Sequence, residues 1–437
     1  MLCLRPVMAQ SILRDAETEA LLNDMAAPLV RAAGLEPGNV RIVLVGDQTV
    51  NAFVAGGQAI YIHSGLINEA DTALEVQGVI AHELGHITGG HIINFSEGAR
   101  AASNISILSL ILGAAAAAAG GGEAAMGVMA AGQQAAMGQF LAFTRGQEAA
   151  ADLAGAKYLS GAELSGRGSL AFFRKLQSLE RRAGYYPSDQ DSFFRTHPLS
   201  RERIDTLSMV YEQDAAWDNS ADDELERRFQ RVKAKLYGYI APPDRVLVSY
   251  PETLRTVPAH YARAYSRFRE ALMPQALAEA DALLAADPRD PYFLELKGQI
   301  LLEGGRAEEA LPPLREAVRI TGNQPLIATL FGHALLATED NGHHAEAERV
   351  LRAAVAMDRL NPQAWYQLGR IYAARGDTAR ARLASAETMM MTGDATAALQ
   401  NAQAAEAALP AGTADWLRAQ DIGLQARGVI ERDRKRN

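Results

Sequence analysis

Glycine, alanine and proline recur at fixed spacings in the C-terminal part of the chain. Pairs 34 residues apart are Gly298 and Gly332, Pro291 and Pro325, Ala276 and Ala310, and Ala347 and Ala381. Pairs 37 residues apart are Gly332 and Gly369, Pro325 and Pro362, and Ala310 and Ala347. One three-residue insertion near residues 339–344 explains the second spacing. A 34-residue period is typical of stacked helix–turn–helix units, so this part is predicted to fold as a helical solenoid.

The period and the small residues at its close contacts predict a tetratricopeptide solenoid over residues 257–430. Just before it, Pro242, Pro243 and Pro251 interrupt the helical pattern, so residues 237–256 are predicted to be a linker. A solenoid of this kind presents a concave surface that can bind a polypeptide. It supplies no catalytic chemistry, so any active site is expected in the N-terminal part.

The composition indicates a globular protein and argues against nucleic acid as a partner. The 437 residues are 48% hydrophobic and 22% charged, which is typical of a globular chain of two or three domains. The net charge is −9 and there is no long run of basic residues, so nucleic acid is not an expected partner. With Cys3 as its single cysteine, the chain can build neither a disulfide framework nor a thiolate zinc site.

The first ten residues permit two interpretations. Val7-Met8-Ala9 fits the small-residue rule for signal-peptide cleavage, but the preceding apolar stretch is too short for a full export signal. Residues 1–10 are therefore either the remnant of a signal peptide or a frayed terminus. In the first case the mature chain starts near Gln10 and works outside the cytoplasm.

The segment Ala81-His82-Glu83-Leu84-Gly85-His86 predicts a metal site on a helix. His82 and His86 lie one turn apart on one face, so both imidazoles can reach a single tetrahedral zinc ion. Glu83 lies beside that face and can accept a proton from a water activated by the metal. The alternative is an ordinary helix. The apolar neighbours favour the metal site, because charged and imidazole groups on a core helix are costly unless paired or metal-bound.

A zinc site needs a third protein ligand, and the sequence offers two candidates. Glu148 and Asp152 share a face of a second predicted helix, and two histidines with one glutamate form a recurrent catalytic zinc shell. Asp152 would then accept a hydrogen bond from the far ring nitrogen of a ligand histidine. If the first helix continued, His91 would lie about 180° from His82. We therefore expect His91 to pack or hydrogen-bond, and Glu148 to bind the metal.

A small sheet is predicted before the first motif, so the fold class is α+β and mostly helical. Residues 40–45 form a predicted strand, and Gly56-Gly57 predicts a hairpin turn between two further short strands. As an exposed edge, the second strand of the hairpin would bind extended substrate through backbone hydrogen bonds; as an internal strand it would not. This predicted substrate-binding strand consists of Ala59, Ile60, Tyr61, Ile62 and His63.

An apolar segment separates the two zinc-binding helices. Residues 101–122 carry no charge, but half of them are Ala or Gly and three consecutive glycines would break a helix. A membrane span is therefore disfavoured. Residues 101–141 are predicted to form a helical lid or plug over the active site, with contact to a membrane surface as a further role. The alternative is a buried helical hairpin.

Segments 51–66, 81–91 and 145–155, in this order, resemble the M48 family of zinc metalloendopeptidases. The resemblance implies a zincin-like domain over residues 11–236 that holds one Zn2+ per chain. By this resemblance His82, His86 and Glu148 bind the metal and Glu83 is the general base. The family pattern His-Pro followed by Arg matches His197, Pro198 and Arg203. The resemblance implies one of two roles for His197: it stabilises the oxyanion of the tetrahedral intermediate, or it is a fourth zinc ligand in a resting state. Arg203 would support His197 in either role.

An M48 domain followed by tetratricopeptide repeats is similar to periplasmic members of the family in Gram-negative bacteria. This implies a protease of unfolded or misassembled outer-membrane proteins, whose repeats dock clients or the barrel-assembly machinery. Two alternatives remain. One is a repeat-based chaperone or scaffold with a largely latent peptidase site, and the other is a cytoplasmic peptidase without a functional leader.

Overall fold

The computed structural model describes residues 11–91, 103, 105–106, 108–109, 122–183, 197 and 201–436. The chain forms two compact units, Met1–Leu236 and Tyr237–Asn437. The first contains a small sheet covered by helices, and the second consists of helices alone among its described residues. The prediction of a mostly helical chain with a small sheet followed by a helical repeat array is confirmed.

The sheet of the first unit has four strands among the described residues, in the order β1-β2-β4-β3. Strands β2 and β4 are parallel, whereas β1 with β2 and β3 with β4 are antiparallel. Gly56 and Gly57 both have positive φ and make the turn between β3 and β4. The strands are β1 (Ser11–Leu13), β2 (Arg41–Gly46), β3 (Ala52–Ala55) and β4 (Ala59–His63).

The prediction that residues 59–63 form an edge strand is wrong. Strand β4 pairs with β2 on one side and with β3 on the other, so the edge next to it is β3. The burial of β4 gives the physical reason. Ala59, Ile60, Ile62 and His63 are all buried, so both faces of the strand are covered, as in the interior of a sheet.

The helices of the first unit enclose one central helix, α3, in which every residue from Ala73 to His86 except Leu74 is buried. The Thr72 hydroxyl oxygen accepts a hydrogen bond from the Glu75 amide at 3.3 Å and starts this helix. The helices that begin in this unit are α1 (Ala16–Ala32), α2 (Ser64–Glu69), α3 (Ala73–Thr88), α4 (Gly122–Gly161), α5 (Arg167–Ala183), α6 (Arg201–Glu212) and α7 (Asp223–Ile240).

Part of the predicted lid belongs to a longer helix. Residues 122–141 form the first half of α4, the helix that also carries Glu148, and several of their apolar side chains are exposed, including Met126 and Met137. Residues 101–102, 104, 107 and 110–121 of the predicted lid lie outside the described residues. Of the helices that the structure describes, none has the length and apolar character that a bilayer crossing requires.

In the second unit, helices pack in antiparallel pairs, and the recurring residues have identifiable structural roles. Helices α11, α13 and α15 each begin at a proline. Proline is tolerated there because the amide at the first helical position has no hydrogen-bond acceptor within the helix. Gly298 lies against Leu314, and Gly332 against Leu351, so closely that any side chain would overlap the partner helix. The residues inserted into the 34-residue period include the 3-10 turn Asn341–His343.

The helices of the second unit follow one another with short connections. Within the predicted linker, α8 forms a short helix and buries Val246. The helices are α8 (Pro243–Ser249), α9 (Val257–Arg269), α10 (Met273–Ala286), α11 (Pro291–Glu303), α12 (Ala307–Ile320), α13 (Pro325–Ala337), α14 (His344–Met357), α15 (Pro362–Ala374), α16 (Thr378–Met391), α17 (Ala395–Ala408) and α18 (Ala414–Arg436).

Candidate metal centre

Helix α3 presents His82 and His86 on one face, as their four-residue spacing predicts. Their Nε2 atoms lie 3.1 Å apart, and both side chains are buried. Phe173 of α5 meets the His82 ring edge to face, with ring centroids 6.0 Å apart. No motif in the sequence points to Phe173 as a neighbour of the site. The two imidazoles therefore converge on one point in an environment that is closed to bulk water.

Glu148 reaches this point from α4. Its Oε2 lies 3.4 Å from His82 Nε2, and its Oε1 lies 3.3 Å from His86 Nε2. The approach depends on glycine, because a Cβ on Gly85 would lie 2.6 Å from the Ala151 carbonyl oxygen. The second contact of this kind, Gly155 against Ala81, would place a Cβ at 3.1 Å. Two glycines thus let α3 and α4 cross closely enough to bring the carboxylate to the histidines.

His197 completes the cluster. Its Nδ1 lies 3.3 Å from His82 Nε2 and 3.1 Å from Glu148 Oε2. Its other ring nitrogen, Nε2, lies 3.5 Å from Glu83 Oε1. The structure therefore places His197 among the side chains that sequence analysis selected, with one nitrogen toward the other ligand atoms and the other toward Glu83.

The distances within this cluster match a tetrahedral metal site. Four ligand atoms, from His82, His86, Glu148 and His197, all lie within 4.8 Å of one another. Ligands about 2.0–2.1 Å from a zinc ion at tetrahedral angles would lie about 3.3 Å apart. The donor atoms of His82, His86 and Glu148 meet this expectation, because they lie 3.1–3.4 Å from one another. The residues present therefore fit a metal ion.

Glu83 differs from the other buried groups of the site. Its side chain is 0% exposed, and neither carboxylate oxygen has a hydrogen-bond partner among the described residues. Burying a neutral polar group without a hydrogen bond costs about 2–7 kcal/mol, and burying an ionised carboxylate costs more. This orphaned group borders the cluster through His197, which suits a base that acts on a water or substrate proton.

Asp152 and Arg203 support the cluster from behind. Asp152 Oδ1 lies 2.9 Å from His82 Nδ1, the ring nitrogen that faces away from the other ligands. Arg203 donates to Asp152 through Nε at 2.7 Å and Nη2 at 2.8 Å, and its Nη1 lies 3.1 Å from Glu148 Oε2. The resemblance had assigned Arg203 to the support of His197. The structure adds direct contacts with Glu148 and Asp152 of α4.

These contacts shift the ionisation of the site. Burial alone would lower the pKa of His82, but hydrogen bonds and charge from Asp152 and Glu148 raise this pKa to about 10. Burial would raise the pKa of Glu148, but hydrogen bonds from His197, His82 and His86 hold it well below its usual range. Without metal the site is an ion-paired cluster. Metal binding must displace the His82 proton, so it is coupled to proton release.

The far ring nitrogen of His86 meets His91. The two Nδ1 atoms lie 2.9 Å apart, so His91 makes the hydrogen bond that the sequence analysis expected of it. Sequence reasoning did not identify His86 as its partner, because a continuing helix would have turned His91 away. The helix instead ends at Thr88, and Gly90 has a positive φ of 63° that redirects the chain.

Comparison with known families and proteins agrees with this geometry. The model for "Peptidase family M48" matches residues 13–210, which include every residue of the cluster. The model for "Tetratricopeptide repeat" matches residues 261–325 and 336–389. The predicted tetratricopeptide array is thereby confirmed.

Curated relatives cover most of the chain. The chain is 24% identical over 424 residues to "Beta-barrel assembly-enhancing protease" of Yersinia pestis. The aligned region covers 95% of this chain and 84% of the relative. The protein of the same name from Escherichia coli K12 is 24% identical over 394 residues, or 87% and 77% of the two chains. "Metalloprotease LoiP" of Escherichia coli K12 is 33% identical over 192 residues, or 43% of this chain and 69% of the relative. With its buried metal-binding cluster and these matches, the chain belongs to peptidase family M48 and is a metalloendopeptidase with C-terminal tetratricopeptide repeats.

Proposed function

We propose that the metal is zinc and that its ligands are His82, His86 and Glu148. The observation that carries the proposal is the convergence of these three donors at near-tetrahedral separations beside the buried carboxylate of Glu83, which accepts no hydrogen bond from the described residues. Imidazole nitrogen and carboxylate oxygen are ligands that zinc favours in catalytic sites. Zinc bound there would polarise the scissile carbonyl and lower the pKa of a water molecule to about 7.

The protein's own groups complete the hydrolysis. Glu83 accepts a proton from the attacking water and donates it to the leaving amine, the two proton transfers that peptide hydrolysis requires. Among the described residues neither Glu83 oxygen has a hydrogen-bond partner, so both are able to accept a hydrogen bond from the attacking water. Arg203 holds Asp152, and Asp152 orients His82 through Nδ1, so the ligand ring keeps one direction.

We also propose that His197 is a fourth zinc ligand in a resting state. Its Nδ1 lies 3.3 Å from His82 Nε2 and 3.1 Å from Glu148 Oε2, so the ring can take the fourth corner of the coordination sphere, where a water or a substrate oxygen would otherwise bind. Displacement of His197 would open that corner. In the open state the same side chain would stabilise the oxyanion, and His197→Ala separates the two roles.

We propose that strand β3, in place of β4, binds extended substrate. Strand β3 (Ala52–Ala55) is one of the two end strands of the sheet among the described residues and packs against α3, the helix that carries the motif. Addition of a substrate strand to this edge would use backbone hydrogen bonds and would tolerate many sequences. Such binding suits a protease whose substrates are unfolded polypeptides.

The substrates that we propose are misfolded or misassembled envelope proteins, and the compartment is the periplasm. Two relatives that cover most of this chain carry the name "Beta-barrel assembly-enhancing protease", which supports a role in outer-membrane protein quality control. The concave surface of the repeats would dock clients or the barrel-assembly machinery. The apolar segment before α4 would allow a peripheral contact with the membrane.

A second candidate function is that of a repeat-based chaperone or scaffold with a largely latent peptidase. The position of His197 in the fourth corner favours it, because a closed site does not turn over substrate. Under this proposal the repeats hold clients whether or not the peptidase opens. A measured rate of cleavage for the wild-type protein separates the two candidates.

Replacement of Glu83 tests the proposed mechanism. Glu83→Gln is expected to keep one zinc per chain and to lower cleavage of an unfolded protein substrate by at least about 10²-fold, because the proton acceptor is lost. Zinc is measured by elemental analysis of the purified protein, and cleavage by release of labelled peptides. Glu148→Ala is the matched variant that should lose the zinc itself.

Unchanged cleavage by Glu83→Gln would contradict the role of Glu83, and full zinc in Glu148→Ala would contradict that of Glu148. The inactive Glu83→Gln protein also serves to identify substrates. Crosslinking it in cells should trap envelope proteins. Recovery of cytoplasmic proteins alone would contradict the proposed compartment.

A further inference from the structure

His86 uses its two ring nitrogens for different partners. Its Nε2 joins the ligand cluster, 3.1 Å from His82 Nε2 and 3.3 Å from Glu148 Oε1. Its Nδ1 points the other way and lies 2.9 Å from Nδ1 of His91. The His86 and His91 rings meet edge to face, with centroids 4.9 Å apart and planes at 77°. A proposed metal ligand is thus held from behind by a second imidazole.

The backbone after α3 is shaped to produce this contact. The Gly89 amide bonds to the Gly85 carbonyl and the Gly90 amide to the Ile87 carbonyl, which ends the helix. Gly90 then adopts a positive φ of 63°, which residues with side chains rarely adopt. A Cβ on Gly89 would overlap the His91 ring. The two glycines therefore return His91 to the face of α3 that carries His86.

The chemistry of the pair sets the direction of the hydrogen bond. Two neutral imidazole nitrogens at 2.9 Å share one hydrogen, so one must donate and the other must accept. A histidine that binds zinc through Nε2 is neutral and carries its hydrogen on Nδ1. His86 Nδ1 is therefore the donor and His91 Nδ1 the acceptor, and the His91 hydrogen lies on its Nε2.

We propose that His91 is a positioning residue for the metal ligand His86, which it orients and holds in the Nδ1–H tautomer. This inference rests on the proposed zinc site. It gives the two motif histidines different supports: His82 is held by the carboxylate of Asp152, which is itself clamped by Arg203, and His86 by a neutral ring. Loss of an outer partner of this kind typically lowers metal affinity about 10–100-fold.

Two substitutions separate hydrogen bonding from packing. His91→Asn places an amide oxygen where Nδ1 of the ring lies, so it keeps an acceptor for His86. His91→Leu keeps comparable bulk but offers no acceptor. We expect zinc affinity of the full-length protein, measured by competition with a chromophoric chelator, to fall about 10–100-fold in the Leu variant. The Asn variant should stay close to wild type, and His333→Leu in the second unit should have no effect.

If His91 acts only by packing, Leu will bind zinc at least as tightly as Asn, and the inference is overturned. Equal affinity of wild type and His91→Leu overturns it while the zinc site stands. Absence of zinc binding by the wild type overturns the zinc site and this inference together.

A measurement on the unaltered protein keeps the inference testable if a variant does not fold. In zinc-loaded protein with 15N-labelled histidine, NMR should show a protonated Nδ1 on His86. It should also show an unprotonated Nδ1 and a protonated Nε2 on His91. A hydrogen on His91 Nδ1 would mean that the bond runs the other way, and would refute the proposed role.

Discussion

Glu83 and Glu148 are both buried carboxylates, and their partners assign them opposite tasks. Glu148 lies within 3.4 Å of imidazole nitrogens from His82, His86 and His197 and is also paired with Arg203. These cationic or metal-binding neighbours hold its pKa low, so it stays an anion. Glu83 has no hydrogen-bond partner among the described residues. In the proposed mechanism Glu148 binds the metal and Glu83, whose Oε1 lies 3.5 Å from His197 Nε2, takes the proton.

Substitution of His197 tests whether this side chain is a fourth metal ligand that blocks the position of the attacking water. His197→Ala is expected to raise the cleavage rate of an unfolded substrate severalfold, because it removes the group that occupies the water position. Zinc content should not change, since the other three ligands remain. The measurement is initial cleavage rate at equal protein and zinc concentration.

The double variant Glu83→Gln/His197→Ala provides the control, since it should be inactive if the added cleavage comes from this site. A fall in rate for the single variant would instead assign His197 to oxyanion stabilisation during catalysis. Loss of zinc in the single variant would show that the fourth ligand is needed to hold the metal.

At the scale of elements, the site depends on how closely α3 and α4 cross. Gly85 and Gly155 lie at the crossing, each against the backbone of the opposite helix. Backbone atoms cannot rotate aside as side chains do, so an added methyl group must push the helices apart. Because His82 and His86 belong to one helix and Glu148 to the other, any such shift lengthens the distances between ligands.

Gly85→Ala should therefore damage the site without touching a ligand. We expect it to lower the unfolding free energy by about 1–3 kcal/mol, as overpacked cores do, and to weaken zinc binding. Gly146→Ala on α4 is the matched control, because a Cβ there meets nothing within 4 Å. Alanine at that helical position should stabilise by up to about 1 kcal/mol. Thermal unfolding and chelator competition measure both effects; normal zinc affinity in Gly85→Ala would contradict the argument.

At the scale of the whole molecule, the chemistry belongs to the first unit and the repeats to the second. The second unit has its own buried charge cluster. Arg263 is 1% exposed, donates to Glu279 through Nε at 2.8 Å, and also donates to the backbone carbonyls of Pro251 and Leu254. His260 Nδ1 lies 2.5 Å from the same carboxylate. These contacts connect the segment at Pro251 and Leu254, which precedes the repeats, to helices α9 and α10.

The stability of the second unit should accordingly depend on Glu279 ionisation. Burial would raise the pKa of Glu279, but hydrogen bonds from Arg263 and His260 and the charges of Arg263 and Arg267 lower it below its usual value. A carboxylate with a depressed folded-state pKa contributes stability that is present above about pH 4.3 and is lost as pH falls through the folded-state value. We therefore expect part of the acid destabilisation of this unit to come from Glu279.

Glu279→Gln checks this expectation. At pH 7 it should destabilise by about 3–5 kcal/mol, because Arg263 loses the carboxylate charge that compensates it. The difference from wild type should shrink as pH falls toward 3. Glu309→Gln removes an exposed carboxylate that pairs with Arg306 and should change little at any pH. Thermal unfolding at several pH values gives the result, and a pH-independent difference would refute the role of Glu279.

The sequence by itself determined the features that depend on residues close together in the chain. The 34-residue period predicts the helical repeats, because proline at a helix start and glycine at a helix crossing act locally in every repeat. The four-residue spacings place His82 with His86, and Glu148 with Asp152, because helix geometry sets which side chains share a face. The hairpin around Gly56-Gly57 follows from the backbone freedom of glycine.

Tertiary structure decided the features that depend on distant contacts. His197 lies 115 residues from His82 in sequence, and only the packing of the first unit brings the two rings together. The neighbours of β4 were not predictable either, because a short apolar strand suits the edge or the interior and only its partners distinguish them. The link from His91 to His86 depends on a turn at Gly90 that replaces helix continuation. Spacing along a helix is local, whereas strand order, helix crossings and the closing of a metal site arise from the fold as a whole.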